Sequence, residues 1–160
     1  MILHYGTKAV WAKPMTLGEY NSYQGWDIPA DQDPETEGYL VEYIDGGKPN
    51  HPDHDGYISW SPKEVFVKAY TSDGKLPFSA ALAAMKAGKR VWRKAWKEEY
   101  IYYVPPGNYP ASRNSNNTMV EDFSGGVPYT AYIAKKTYDG YVTPWVPTQE
   151  DMLQSDWSII

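Results

Sequence analysis

Between residues 86 and 97 the chain carries six cations, Lys86, Lys89, Arg90, Arg93, Lys94 and Lys97, and no acid, with Trp92 and Trp96 set among them. Guanidinium and ammonium groups pair with phosphates and indole faces accept bases by stacking, so this run has the chemistry of a site for an anion that carries a ring. The same residues also suit a helix whose last turn favours cations, followed by an edge strand that uses Lys against aggregation. Both readings fit the periodicity. A second concentration is His51-Pro52-Asp53-His54-Asp55, four potential metal ligands in five residues. Pro52 prevents the helical i, i+4 spacing of the zinc-protease motif, no matching Glu follows, and the segment comes after a Gly-Gly-Lys-Pro turn. A solvated loop capped by Asp and His is expected here, with no metal and no cofactor.

Signals for covalent or acid–base chemistry are missing. There is no cysteine, and the only histidines are His4, His51 and His54. No Gly-x-Ser-x-Gly elbow, phosphate loop or dinucleotide fingerprint occurs. Glu98-Glu99 and Glu150-Asp151 are adjacent pairs, which face opposite ways in a strand and diverge by about 100° in a helix, so neither makes a carboxylate dyad. The residues therefore point to a binding protein without a catalytic site. An enzyme whose acids converge from distant positions, and a small toxin or host-interaction protein, are the alternatives.

The elements that must position these residues divide by charge near residue 75. Residues 1–75 hold six Lys and no Arg against twelve acids, and residues 76–160 hold nine cations against eight acids. The divide falls at Thr71-Ser72-Asp73-Gly74-Lys75, a turn-forming run. An α+β protein of two small modules is expected, 1–72 and 76–160, the second an antiparallel sheet with one amphipathic helix and a short C-terminal helix. In the first, Thr16-Leu17-Gly18-Glu19 has capping-box spacing and Gly25 is a stop. Tyr39–Ile44 and Gly56–Trp60 read as strands, and Ser61-Pro62-Lys63-Glu64 opens a helix with a stripe of Val65, Phe66, Ala69 and Tyr70. In the second, Phe78, Ala81, Leu82 and Met85 recur at helical spacing before Gly88. Arg90–Trp96, Tyr100–Val104, Tyr129–Thr137 and Tyr141–Trp145 read as strands, the last two hinged at Asp139-Gly140. A helix at Gln149–Gln154 and a strand through Trp157–Ile160 follow. The Asn-, Ser-, Gly- and Pro-rich run from Pro105 to Pro128 is longer than an ordinary connection and reads as a lid or a disordered segment.

Composition narrows the partners. Seven Trp and fifteen Tyr against three Phe favour rings with a polar handle, which suit wet, half-buried surfaces. A net charge of −5 argues against a DNA or RNA polymer, because each neutralised phosphate needs its own cation. The first residues, Met1-Ile2-Leu3-His4-Tyr5, lack a basic region followed by an apolar run, and no stretch approaches the roughly 18 apolar residues of a membrane helix, so a soluble protein with no membrane partner is expected. The absence of cysteine suits a reducing cytosol.

Two further patterns are specific. Phe78-x-x-Ala81-Leu82-x-x-Met85-Lys86-x-Gly88-Lys89-x-Val91-x-Arg93-x-x-Trp96 is followed later by Asp139-Gly140-x-x-x-Pro144-Trp145-x-Pro147-Thr148-Gln149-x-Asp151-Met152-Leu153-x-x-Asp156-Trp157. In order and spacing these resemble the Thoeris anti-defence protein two family of phages. The resemblance implies a protein that sequesters cyclic ADP-ribose-type messengers, and in some members cyclic oligonucleotides, without degrading them. It also implies a homotetramer acting in the host cytoplasm. Carried over, Trp96 resembles a ring for adenine stacking and Arg93 a phosphate or ribose contact. Trp145, Thr148, Gln149 and Asp151 fall on the second motif, where hydroxyl, amide and carboxylate groups would read ribose or base edges. Asp156-Trp157 is expected to be structural. Many members carry Asn-Gly after the first Trp, whereas this chain has Lys97-Glu98-Glu99. Residues 1–72 resemble a phage-encoded segment found ahead of such domains, with no activity implied.

Overall fold

The computed structural model describes residues 1–4, 6–110, 113, 115–117 and 126–160. It is an α+β protein that divides into two compact units, Met1–Thr71 and Ser72–Ile160.

The first unit is a three-stranded antiparallel sheet of β1 (Val10–Pro14), β2 (Gly38–Tyr43) and β3 (Tyr57–Pro62), in spatial order β1-β2-β3. Helix α1 (Leu17–Gln24) begins at Thr16, whose hydroxyl accepts from the Glu19 N–H while the Glu19 carboxylate accepts from the Thr16 N–H; the helix ends at Gly25, with φ of 71°. Such a box satisfies two orphan donors and contributes about 1 kcal/mol. Tyr20 from α1 packs on Leu40 of β2 and Ile58 of β3, with Met15, Tyr23 and Trp60 around them. Gly38 is required at its site, because a Cβ there would lie 2.3 Å from the Trp60 ring.

Helix α2 (Lys63–Ala69) departs from the sequence expectation at both its start and its face. Strand β3 runs through Pro62, so the helix begins at Lys63 without a side-chain cap, and the Ser61 hydroxyl points instead to the Pro62 carbonyl. No residue of α2 is buried, and Val65 of the expected stripe is exposed. This two-turn helix is held by ring stacking, Phe66 lying 4.1 Å from Tyr39 and 5.0 Å from Tyr70 between centroids. Strand β1 carries no alternation of polarity and is an almost wholly exposed edge, which is why periodicity passed over it.

In the second unit α3 (Phe78–Lys86) lies on a five-stranded antiparallel sheet of β4 (Arg90–Arg93), β5 (Tyr100–Val104), β8 (Tyr132–Lys136), β9 (Val142–Pro144) and β10 (Trp157–Ile159), in order β10-β4-β5-β8-β9. Two short strands, β6 (Gly107–Tyr109) and β7 (Val127–Tyr129), pair separately. The expected long segment from 105 to 128 thus includes a small ribbon, and its residues 111, 112, 114 and 118–125 lie outside the described residues. The expected strand Tyr129–Thr137 is divided, because Tyr129 belongs to β7 and the sheet strand starts at Tyr132. Ala81 and Met85 of α3, Val91, Ile101 and Trp157 form the buried centre. Helix α4 (Gln149–Leu153) precedes β10. The unit is closed at its start by Leu76, whose backbone exchanges hydrogen bonds with Trp157, and by Asp73, whose carboxylate accepts from the Ile159 N–H at 2.7 Å.

Candidate functional site

Strand alternation sorts the dense cation run onto different surfaces. Within β4, Val91 and Arg93 point to the core and are buried, so Arg90 and Trp92 occupy the other face. The expected strand Arg90–Trp96 stops at Arg93: Trp96 N–H donates to the Arg93 carbonyl, forming a turn, and Glu98 takes a φ of 53°. That turn lifts Trp96 back over the core face and leaves Lys94 and Lys97 exposed, with no ion pair among the described residues.

Arg93 is a buried guanidinium at the centre of an ionic network that runs from buried Asp151 out to exposed Glu150. Its Nε donates to Asp156 Oδ1 and its Nη1 to Asp151 Oδ1, both at 2.8 Å, and Nη2 reaches Asp156 Oδ2 and Glu150 Oε1 at 3.2 Å. The Asp156 carboxylate, followed by those of Asp151 and Glu150, overcomes burial and raises the guanidinium pKa further above its ordinary value. Asp151 in turn forms a capping box with Thr148 at the start of α4, accepting from the Thr148 N–H at 3.0 Å and its hydroxyl at 2.8 Å. Burial alone would raise the Asp151 pKa; the Thr148 N–H, Arg93 and the Thr148 hydroxyl outweigh it, and the carboxyl titrates below the usual aspartate range. The Asp151 carbonyl accepts from the indole N–H of the fully buried Trp157. Residues 93, 148, 151, 156 and 157 are thus one polar joint between β4, α4 and β10.

Beside this joint stands an aromatic wall. Trp96 meets Trp157 edge-on at 5.2 Å between centroids and Trp145 at 6.0 Å, and Phe78 packs on Trp145 and Trp157. Trp96 and Trp145 are only half-buried. Lys135 of β8 sits 4.5 Å from the Trp96 ring centre and pairs with Glu99 at 2.6 Å. Gln149 is exposed, and its side-chain amide has no partner among the described residues.

Of the six residues singled out in sequence, the structure gathers all around this joint, in two kinds of position. Trp96, Trp145 and Gln149 present surface to solvent, while Arg93 and Asp151 are buried and spend their polar atoms on each other, on Asp156 and Glu150, and on the Thr148 cap. Thr148 is exposed but its hydroxyl is engaged by Asp151.

A family model described as a Thoeris anti-defense 2-like domain matches residues 76–160. The chain belongs to this family. A relative, Thoeris anti-defense 2 of Bacillus phage SP01, is 28% identical over 95 residues, 54% of this chain and 96% of the relative. Membership in the Thoeris anti-defense 2-like family supports a phage anti-defence role for the second unit, and the first unit lies wholly outside the residues that the family model matches. No helix among the described residues is long and apolar enough to cross a membrane.

Several features were hidden from sequence reasoning. The outer face of the sheet brings Arg90, 4.9 Å from the Tyr100 ring centre, and Gly88, Lys89 and Tyr102 around a recess of about 230 Å³. Register alone produces that grouping: Arg90 stands opposite Tyr102 and Tyr100 opposite Lys136. In the first unit the His51–Asp55 segment is a loop with Pro52, Asp53 and Asp55 exposed, but its histidines are not solvated as expected. Both imidazoles are largely buried: His51 stacks on Tyr23 at 4.2 Å between centroids, and His54 is held between Glu42, at 2.9 Å, and the Tyr23 hydroxyl, at 3.1 Å. That contact with His54, with the Gly56 N–H, keeps the Glu42 carboxyl below its ordinary pKa. Among the described residues no group of three or more His, Cys, Asp or Glu is placed to hold a metal ion.

Proposed function

We propose that the second unit binds a cyclic ADP-ribose-type messenger and removes it from solution without chemical change, acting in the host cytoplasm as a homotetramer. The observation that carries this reading is the half-buried Trp96–Trp145 wall, with Lys135 over the Trp96 ring and, in the same turn, Lys94 and Lys97 exposed and without an ion pair among the described residues. A base stacks on an indole, and a phosphate seeks the adjacent ammonium groups. Lys135 covers ring surface that an adenine would take. It swings aside on binding, exchanging Glu99 for a phosphate oxygen. Gln149 reads the ligand's hydroxyl or base edge. Arg93, Asp151 and Thr148 act at one remove, fixing α4 so that Gln149 and Trp145 face one ligand.

The experiment is depletion. The purified chain is incubated with a panel of cyclic nucleotides, free ligand is separated and measured, and the complex is then heat-denatured. Stoichiometric depletion and return of the unchanged ligand are expected. Recovery of a linear or hydrolysed product would overturn the reading, as would depletion of none of the panel.

A further inference from the structure

The first unit contains a cleft of about 590 Å³, bounded by α1, the connection carrying Trp26, Asp27 and Gln32, and strand β3. That volume lies within the range of about 300–1,000 Å³ of clefts that take small ligands. Its mouth is aromatic. Trp26 is 57% exposed and Tyr57 43% exposed, and Tyr20 backs Trp26 edge-on at 6.2 Å between centroids. A lone exposed ring is ordinary on a protein surface, but two at one concavity form a place to stack.

Charge selects what stacks there. Asp27 is exposed at the cleft and has no ion pair or hydrogen-bond partner among the described residues, and neighbouring Asp31 is also exposed and unpaired among them. Residues 1–75 hold twelve acids against six Lys and no Arg, so the field repels anions and draws cations. Between the two cationic side chains, a planar guanidinium both stacks on rings and forks onto a carboxylate, whereas a compact ammonium does neither as well.

The mode of entry also follows. Strand β3 is a sheet edge, which would ordinarily accept an added strand. Here the Asn50 side chain already occupies the edge: its Oδ1 accepts from the Ile58 N–H at 2.7 Å and its Nδ2 donates to the Ile58 carbonyl at 2.8 Å. Pro62, at the end of the strand, has no N–H to offer. A partner therefore contributes a side chain rather than a strand.

We propose that this cleft binds an arginine side chain presented by a peptide segment of a partner protein, the guanidinium lying between the Trp26 and Tyr57 rings and forked onto Asp27. This site is separate from the nucleotide reading of the second unit and stands or falls without it.

The test uses the full chain and four acetylated, amidated pentapeptides of alanine with arginine, lysine, citrulline or glutamate at the centre, titrated by calorimetry and tryptophan fluorescence. The arginine peptide is expected to bind saturably. Citrulline, which keeps the shape and loses the charge, should bind roughly tenfold more weakly or not at all, and glutamate should not bind. Trp26→Ala and Asp27→Asn should each weaken the arginine peptide by roughly tenfold, with the fold kept in both and the thermal transition unmoved in Asp27→Asn, where the side chain is exposed. Absence of binding at millimolar arginine peptide, equal affinity for citrulline, or full affinity in the folded Asp27→Asn variant would overturn the proposal.

Discussion

In the second unit a buried guanidinium is shared by three carboxylates and joins two strands to a helix. In the first, the comparable joints use no guanidinium: the Asn50 carboxamide closes the edge of β3, and Tyr23 of α1 stacks on His51 while His54 lies between the Tyr23 hydroxyl and the Glu42 carboxylate. The contrast is instructive because the costs differ. A buried ion network is a weak net stabiliser against an apolar alternative, yet losing one member strands the others. Neutral hydrogen bonds lose less when broken. Loss of the one guanidinium should thus cost the second unit more than loss of the one carboxamide costs the first.

Arg93→Met gives the largest expected effect. With the guanidinium gone, Asp151 remains buried without its counter-charge, and the second unit should lose about 3–5 kcal/mol of stability. Two-transition denaturant unfolding would show the second unit's midpoint falling while the first stays in place. A shift of both transitions together, or of neither, would break the comparison.

Trp96→Ala separates the aromatic wall from the ionic joint. If the exposed side of the indole stacks on a base, truncation costs about 1–3 kcal/mol of ligand affinity while the fold persists. Ligand titration alongside a thermal scan checks both. A collapsed transition would mark Trp96 as chiefly core, which its packing on Trp157 makes the pertinent alternative.

The reverse experiment on the first unit is Asn50→Ala. It leaves the Ile58 N–H and carbonyl without the side chain that satisfied them, at a cost of about 1–3 kcal/mol confined to the first unit. Amide exchange of Ile58 should accelerate. An unchanged exchange rate would mean that water replaces the carboxamide without loss.

How far such features can be read from sequence depends on the range of the interaction. The Thr16 box, the Gly25 stop, the α3 stripe and the Asp139-Gly140 hairpin are local, and the structure has each of them. Thr148 and Asp151 carry the same hydroxyl-then-acid spacing as a helix cap, a signal present in the sequence beside the reading of these residues as ligand contacts. The engagement of Arg93 was not legible, because Asp156 is 63 residues away and no periodicity connects them. Nor was the fate of Ser61, where the strand's continuation through Pro62 overrode a local cap signal. The Lys97-Glu98-Glu99 departure has a physical counterpart: Glu98 occupies the left-handed region, φ 53°, that suits Gly or Asn. Glu98→Gly should raise the second unit's stability by up to about 1 kcal/mol, read from its denaturant midpoint.

The smallest expected effect comes from removing the first unit altogether. Each unit has its own buried centre, around Ile58 in one and Trp157 in the other, and a cut after Thr71 leaves the members of each on one chain. The position of the cut matters, because Asp73 and Leu76 close the second unit by bonding Ile159 and Trp157; a chain beginning at residue 72 keeps both, and one beginning at residue 76 loses the Asp73 bond. The charge divide adds a second reason. A doubly anionic ligand gains from Lys94, Lys97 and Lys135 and nothing from twelve acids in residues 1–75, so their removal should leave the affinity level or slightly better. Residues 72–160 should therefore fold and capture the same cyclic nucleotide as the full chain within about tenfold, roughly 1.4 kcal/mol. Side-by-side titration of the two chains at matched ionic strength decides the matter. A folded 72–160 chain that ignores a ligand the full chain binds would end the division of labour drawn between the two.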